Sequence, residues 1–229
     1  MKIERRRGVE QAAVARGDVV VIDVLRAFTT AAFAFGAGAK EIVLVATPEQ
    51  AFELKKRFPR AKLAGEVGGK PIAGFDYPNS PGVIARASLG GRTLILRSSS
   101  GTQGVVRARG AERIWLGSLP VAGVTCELLR KTSEHVTLLA MGSQKGPDGP
   151  EDDACGDLLH ALLEEREPEL ETVKKKIRES PAAQLALDPA VDWISPDDLE
   201  CALDFDFFGF GMLVVREGDL LVARAAEPK

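Results

Sequence analysis

Histidine and cysteine are scarce in this chain, two and three among 229 residues. Neither recurs at the spacing of a zinc site, since there is no CxxC and no HxxxH. His135 and His160 fall just before a strand and inside a helix, where a structural role is expected. Cys126, Cys155 and Cys201 are odd in number and far apart, which excludes a disulfide framework and reads as reduced thiols. Positive charge is not in excess: 30 Lys and Arg against 33 Asp and Glu leave a formal charge of -3. That argues against nucleic acid or an anionic membrane as a partner, and an anionic small ligand would need a local group of cations. No apolar run approaches a membrane span, and the basic start MKIERRRGVEQ leads into no signal-peptide core, so the expected location is the cytoplasm. Internal repeats and low-complexity tracts are absent.

What the chain does hold is 45% apolar residues, enough for a sizeable core, and its length fits one α/β domain over residues 1–229. The stretch VVVIDVLRAFTT, residues 19–30, starts as a β-branched run suited to a strand buried on both faces and then stops in charge, at Asp23 and Arg26. AFTTAAFAFGAGA reads as the following helix with a glycine-rich end. EIVLVA is a second strand, TPEQAFELKKRF a helix with Thr47 at its N-cap and Pro48 in first position, and KLAGEV a third strand. TLILRSS, RIWLGS and HVTLLAMGS read as further strands, each followed by a helix. The last of these helices begins near Glu151, after the loop QKGPDGP. Residues 164–187 are charged and helical in pattern, and EREPELETVKKKIRE reads as a solvated helical face or excursion. Asp197, Asp198 and Glu200 open a short helix, and GMLVVREGDLLVARA predicts a hairpin around Glu217-Gly218-Asp219. The sum is a three-layer α/β/α fold with a mixed, largely parallel sheet and a C-terminal β-hairpin.

In an open α/β sheet, ligands bind beyond the carboxyl ends of the strands, and the polar residues gather there. Asp23 and Arg26 follow the first strand and Glu66 belongs to the end of the third. Ser98, Ser99, Ser100, Gly101 and Thr102 follow the fourth in a turn whose hydroxyls and N–H groups suit an anion at a helix start. Ser118 follows the fifth, and Ser143 and Lys145 lead from the sixth to Glu151, Asp152 and Asp153. The segment GGKPIAGFDYPNSP is too rich in Gly and Pro for regular structure and too long for an ordinary connection, which makes it a candidate functional loop. It carries Asp76, Asn79 and Ser80, the last equally readable as a helix N-cap before Pro81. Acids arriving from separate loops suit Mg2+, which takes one or two carboxylates with water and substrate phosphate oxygens. The dipole of the helix they open accounts equally well for residues 151–153. Cys155 is a lesser candidate, as a thiolate nucleophile.

Taken in order, the pieces IDVLRAFTT, AGEVGGKPIAGFDYPNSP, SSSGT, IWLGS and GPEDDACGD resemble the 2-phosphosulfolactate phosphatases, magnesium-dependent enzymes of the coenzyme M pathway. They cover most of residues 17–157, and the tail DDLECALDFD with its hairpin is similar too. Two positions depart from the pattern: Val67 stands where family members often carry Arg, and Ser100 where they often carry Asn. Arg97 is a nearby charge that could replace the missing one. The DVLR sequence lacks the second Asp that haloacid-dehalogenase phosphatases carry two residues on. The resemblance implies hydrolysis of 2-phospho-3-sulfolactate to 3-sulfolactate and phosphate. It implies Asp23, Arg26 and Glu66 as catalytic residues, and Asp23, Glu66, Glu151 and Asp152 as Mg2+ ligands, direct or through water. Asn79, Ser80, Ser98, Ser99, Ser100, Gly101, Thr102 and Ser118 are the expected substrate contacts. The expected partner is a small anionic phosphate ester, and a homodimer is compatible with the reading. A phosphatase for another small phosphorylated acid and a non-catalytic anion-binding protein are the alternatives.

Overall fold

A computed structural model describes residues 1–143, 146 and 148–228; Lys145 lies outside the described residues. The first half of the chain forms β1 (Lys2–Arg7), β2 (Asp18–Ile22), α1 (Ala27–Gly36), β3 (Glu41–Val45), α2 (Pro48–Arg57), β4 (Lys62–Val67), β5 (Lys70–Pro71), β6 (Tyr77–Pro78), α3 (Pro81–Ile84), β7 (Thr93–Arg97) and α4 (Gly101–Arg107). The second half forms β8 (Arg113–Gly117), α5 (Ala122–Thr132), β9 (His135–Ala140), α6 (Pro150–Leu163), α7 (Leu170–Arg178), α8 (Pro181–Leu187), α9 (Pro196–Leu203), β10 (Gly211–Glu217) and β11 (Leu220–Ala226).

The sheet order is β1-β9-β2-β8-β10-β11-β3-β7-β4, with β5 and β6 both attached to β4. Two parallel blocks are visible in it: β1, β9, β2 and β8 on one side, and β3, β7 and β4 on the other. The hairpin expected from GMLVVREGDLLVARA is present, but it is not an edge. It is the splice between the blocks, β10 antiparallel to β8 and β11 antiparallel to β3. Its alternation explains the placement, because Met212 and Val214 face one core while Leu213 and Val215 pack on the other face.

β2 is buried along its whole length, as its β-branched run requires of a strand flanked by β9 and β8. Its one charged member, Asp18, is held by a bidentate pair with Arg113 at 2.7 and 2.6 Å. Helices cover both faces. α1 and α4 share a core with inward residues of both strand blocks and the hairpin. On the opposite face α5, α6 and the later helices cover the first block, and α2 covers the second. The Thr47 cap forms as expected, its hydroxyl accepting the Gln50 N–H at 3.3 Å. No helix among the described residues is long and apolar enough to cross a membrane.

Three features depart from the sequence reading. KIERRR forms an edge strand that pairs with β9, its arginines tied to α6 through Arg5–Asp157 at 2.9 Å and Arg7–Asp153 at 2.7 Å; charge is typical of a protected edge. The loop after β4 carries the two short strands β5 and β6, so it is anchored along much of its length. Residues 164–187 present a solvated helical face but are not an excursion, because Val173 and Ile177, one helical turn apart, are buried in the core beneath α6 while the charges face out. Truncating Ile177 to Ala should therefore cost about 2–5 kcal/mol in urea denaturation. Lys176→Ala, which removes only the exposed pair with Asp157, should cost less than about 1 kcal/mol. Equal effects would mean that α7 is not docked.

Candidate active site

The carboxyl ends of β2, β4, β7 and β9 are joined by buried carboxylates. Asp23, immediately after β2, accepts the Ala27 N–H at 3.0 Å through Oδ1 and the Gly101 N–H at 2.8 Å through Oδ2. β2 and β7 stand five steps apart in the sheet, roughly 24 Å if it were flat at about 4.8 Å per step. The sheet therefore curls around α1 and α4, and the loop after β7 reaches across to Asp23. Gly101 makes the contact feasible: a Cβ there would meet Asp23 Oδ2 at 2.6 Å and the Phe28 ring at 2.9 Å. Asp152, in the first turn of α6, accepts Val24 N–H at 2.7 Å and Gly142 N–H at 2.9 Å, tying the ends of β2 and β9. Glu66 accepts from Gly69 N at 2.6 Å, Ser99 N at 2.5 Å and Ser99 Oγ at 2.9 Å, tying β4 to the turn after β7.

Arg26 is buried, 4% exposed, beyond a cis Leu25–Arg26 peptide. Its Nη1 donates to the Trp193 carbonyl at 2.5 Å and its Nη2 to the Gly69 carbonyl at 2.8 Å. Asp198 Oδ2 lies 3.7 Å from Nη1, and the Trp193 ring centre 5.3 Å from the guanidinium carbon. Asp198 and Trp193 were absent from the residues expected at the site. The SPDD run signalled a helix start, and capping chemistry fully accounts for such a run when it is read locally.

Asp23 is the meeting point of two charged groups. On one side Arg26 and Glu66 act on it; on the other, Asp23, Glu151 and Asp152 repel one another. Burial pushes the Asp23 carboxyl up to about 6, against the N–H groups of Ala27 and Gly101, and the charge of Glu66 adds to the rise. Burial raises Asp152 well above its ordinary range, reinforced by the charges of Asp23 and Glu151, and it raises Glu151 as well. Buried acids in mutual repulsion call for a cation or a shared proton. Among the described residues, Glu151 Oε2 and Asn79 Oδ1 are buried without a hydrogen-bond partner, and both fit a ligand contact. Among the described residues, no three His, Cys, Asp or Glu side chains converge closely enough to hold a metal by themselves.

Several expected substrate contacts are occupied within the fold. Thr102 Oγ1 donates to Ser98 O at 2.8 Å, while Ser98 Oγ accepts Thr102 N–H at 2.9 Å, so this pair shapes the start of α4. Ser118 Oγ donates to Phe28 O at 3.2 Å, and Ser80 Oγ donates to Asp198 at 2.5 Å while accepting from Val83 N. Ser80 is thus the cap of α3. Ser100 is partly exposed at the N-cap of α4 without a side-chain cap bond. Arg97 donates to the Glu66 carbonyl and to Ser99 Oγ, which places its charge beside Glu66. Asp76 serves the fold, receiving Lys62 Nζ at 2.6 Å and Leu63 N at 2.8 Å. The thiolate alternative fails on environment: Cys155 is fully buried, and burial together with the charge of Asp152 drives its pKa well up.

The family model described as 2-phosphosulpholactate phosphatase matches residues 5–192. Among relatives, the protein named "Probable 2-phosphosulfolactate phosphatase" from Bacillus subtilis (strain 168) is 34% identical over 145 residues, 63% of each chain. The protein of the same name from Carboxydothermus hydrogenoformans is 38% identical over 152 residues, 66% of this chain and 63% of that one. A third, from Deinococcus radiodurans, is 36% identical over 126 residues, 54% of this chain and 52% of the relative. The chain thus spans less than two thirds of the length of the relatives it matches.

The raised Asp23 value makes a signed prediction. Its folded-state pKa of about 6 lies above the ordinary 3.8, so proton uptake favours the folded state. The destabilising contribution of its charge is fully present above about pH 6 and is relieved as pH falls from about 6 towards 3.8. Asn at this position carries no such charge. In melts with chelator from pH 8 to pH 5, wild type should gain stability relative to Asp23→Asn as the solution is acidified. A difference independent of pH would contradict the assigned environment.

Proposed function

Because the chain belongs to the 2-phosphosulfolactate phosphatase family, we propose that it is a Mg2+-dependent phosphatase that hydrolyses 2-phospho-3-sulfolactate to 3-sulfolactate and phosphate. The observation that carries this reading is Asp23, a buried carboxylate that interacts with other buried acids and also with the buried cation Arg26. A phosphate ester and its cation need both signs of charge in one place. Water adds to phosphorus, the bond between phosphorus and the ester oxygen breaks, and the departing oxygen takes up a proton. Such a transfer depends on positioning and charge neutralisation more than on covalent chemistry by the protein.

Asp23, Glu151 and Asp152 are the residues that would hold Mg2+, directly or through water, with the unpartnered Glu151 Oε2 as the most available atom. When bound, Mg2+ supplies a Lewis acid for the phosphoryl oxygens and a template for water. Arg26 contributes a fixed positive charge beside Asp23. Glu66 holds the Ser99 turn and the Gly69 N–H in register, and a place for it at the cation through water is part of the same reading. The start of α4 offers its positive dipole end, with Ser100 at the rim. Asn79 Oδ1 would accept from water or from the hydroxyl that is released. The three cysteines are free thiols, which fits a cytoplasmic setting.

A second reading, a phosphatase for another small phosphorylated acid, is favoured by Val67. It stands 47% exposed beside Glu66 and supplies no cation for a sulfonate, while Arg97 is turned toward Glu66 and Ser99. Phosphate release from a panel of phosphorylated acids that includes phosphosulfolactate separates the two. Chelation should abolish release and Mg2+ restore it, and full activity without metal would refute the cation site. Asp23→Asn should lower turnover by roughly 100-fold or more in a folded protein. Arg26→Lys, which keeps the charge but not the planar fork, should be impaired by roughly 10-fold or more.

A further inference from the structure

Arg26 is a buried cation whose surroundings come largely from a part of the chain beyond residue 192, where the family match ends. Trp193 supplies a carbonyl to Nη1 and lays its ring over the guanidinium. Gly69, at φ +85°, supplies the other carbonyl and the room for that ring: a Cβ at position 69 would sit 2.7 Å from a Trp193 ring carbon. Neither carbonyl carries a formal charge. The carboxylate paired with Arg26 is that of Asp198, 1% exposed and 3.7 Å away.

Asp198 is itself fixed from three directions. Its Oδ1 accepts the Ser80 hydroxyl at 2.5 Å and the Gly82 N–H at 3.1 Å, and its Oδ2 accepts the Ser195 N–H at 3.1 Å. The start of α3, the start of α9 and the guanidinium therefore share one rigid acceptor. Its neighbour Asp197 points outward to a surface pair with Arg86 at 2.6 Å, so only one of the two adjacent acids is built into the site.

We propose that Asp198 is a positioning residue for Arg26: it holds the guanidinium beneath Trp193, on the Asp23 side of the site, and so sets the affinity of the site for its anionic substrate. This rests on the phosphatase reading above. A buried arginine deprived of its counter-charge has reason to turn toward water, whereas one so paired keeps its place. Burial by itself weakens the hold of Arg26 on its proton, and Asp198 is foremost among the groups that restore it.

The experiment compares Asp198→Asn, Asp198→Glu and, as control, Asp197→Asn. Its readouts are thermal melts with and without inorganic phosphate, tryptophan emission, and KM and kcat for phosphosulfolactate with Mg2+. Asp198→Asn should raise KM by about 10-fold or more, change kcat much less, remove most of the phosphate-induced rise in melting temperature, and shift Trp193 emission to the red. Asp198→Glu should fall between it and wild type, and Asp197→Asn should match wild type. A folded Asp198→Asn with wild-type KM and phosphate response, altered only in melting temperature, would reduce Asp198 to a cap and overturn the proposal. If Asp198→Asn does not fold, Asp198→Glu decides, and a wild-type KM and phosphate response there overturns it. If wild type hydrolyses no ester in the panel yet is stabilised by phosphate, the phosphatase reading fails while the phosphate melts still decide the role of Asp198. A wild type that neither hydrolyses an ester in the panel nor responds to phosphate overturns both.

Discussion

The hydrogen bonds of the Asp23 carboxylate join the two parallel halves of the sheet. One oxygen holds the first turn of α1 and the other holds the first turn of α4, helices that follow strands from opposite blocks. The hairpin β10–β11 splices those blocks, pairing with β8 at only two positions and with β3 at three. Closure at the functional end falls to side chains. Asp152 and Glu66 repeat the device on either side of Asp23, so the ends of four strands are fastened by three acids.

That solution has a physical cost that is also its use. A carboxylate removed from water is tolerated when backbone N–H groups take the place of solvent. Asp23 and Asp152 each have two such donors, but they and Glu151 also repel one another. A structure built only for stability would have no reason to gather buried acids that repel one another. Perturbed acids of this kind are characteristic of functional sites. The same groups that fasten the strand ends thus carry the strained charge of this end of the sheet.

Arg26 extends the arrangement into the last third of the chain. Its two terminal nitrogens draw the glycine-rich loop at Gly69 and the segment at Trp193 onto the same point, and Asp198 brings α3 and α9 with them. The functional end is therefore assembled from both strand blocks and from the helices that follow them. Glycine is needed where these parts touch: at 101 for the approach of Asp23, and at 69 for the Trp193 ring.

Sequence alone determined the elements of the parallel blocks apart from β1. β-branched runs, a Thr-Pro helix start and the position of charge after each strand are local signals with local causes. It also marked Asp23 and Arg26, which a helix cap does not account for together, and drew attention to Glu66 and Asp152 at the same ends, the latter equally explained by the dipole of its helix. Local pattern could not show that the hairpin lies in the middle of the sheet, since its alternation suits an edge or a centre equally. Nor could it show that KIERRR is a strand, whose pairing with β9 overrides its poor intrinsic preference. The partners of each side chain were decided only by tertiary structure. Which carboxylate meets Arg26, and that the Ser80 hydroxyl faces Asp198, depends on groups more than a hundred residues away. Asp198 lies 172 positions from Arg26 in the chain and 3.7 Å from it in space, because burying a guanidinium requires a counter-charge and the fold provides one from its far end.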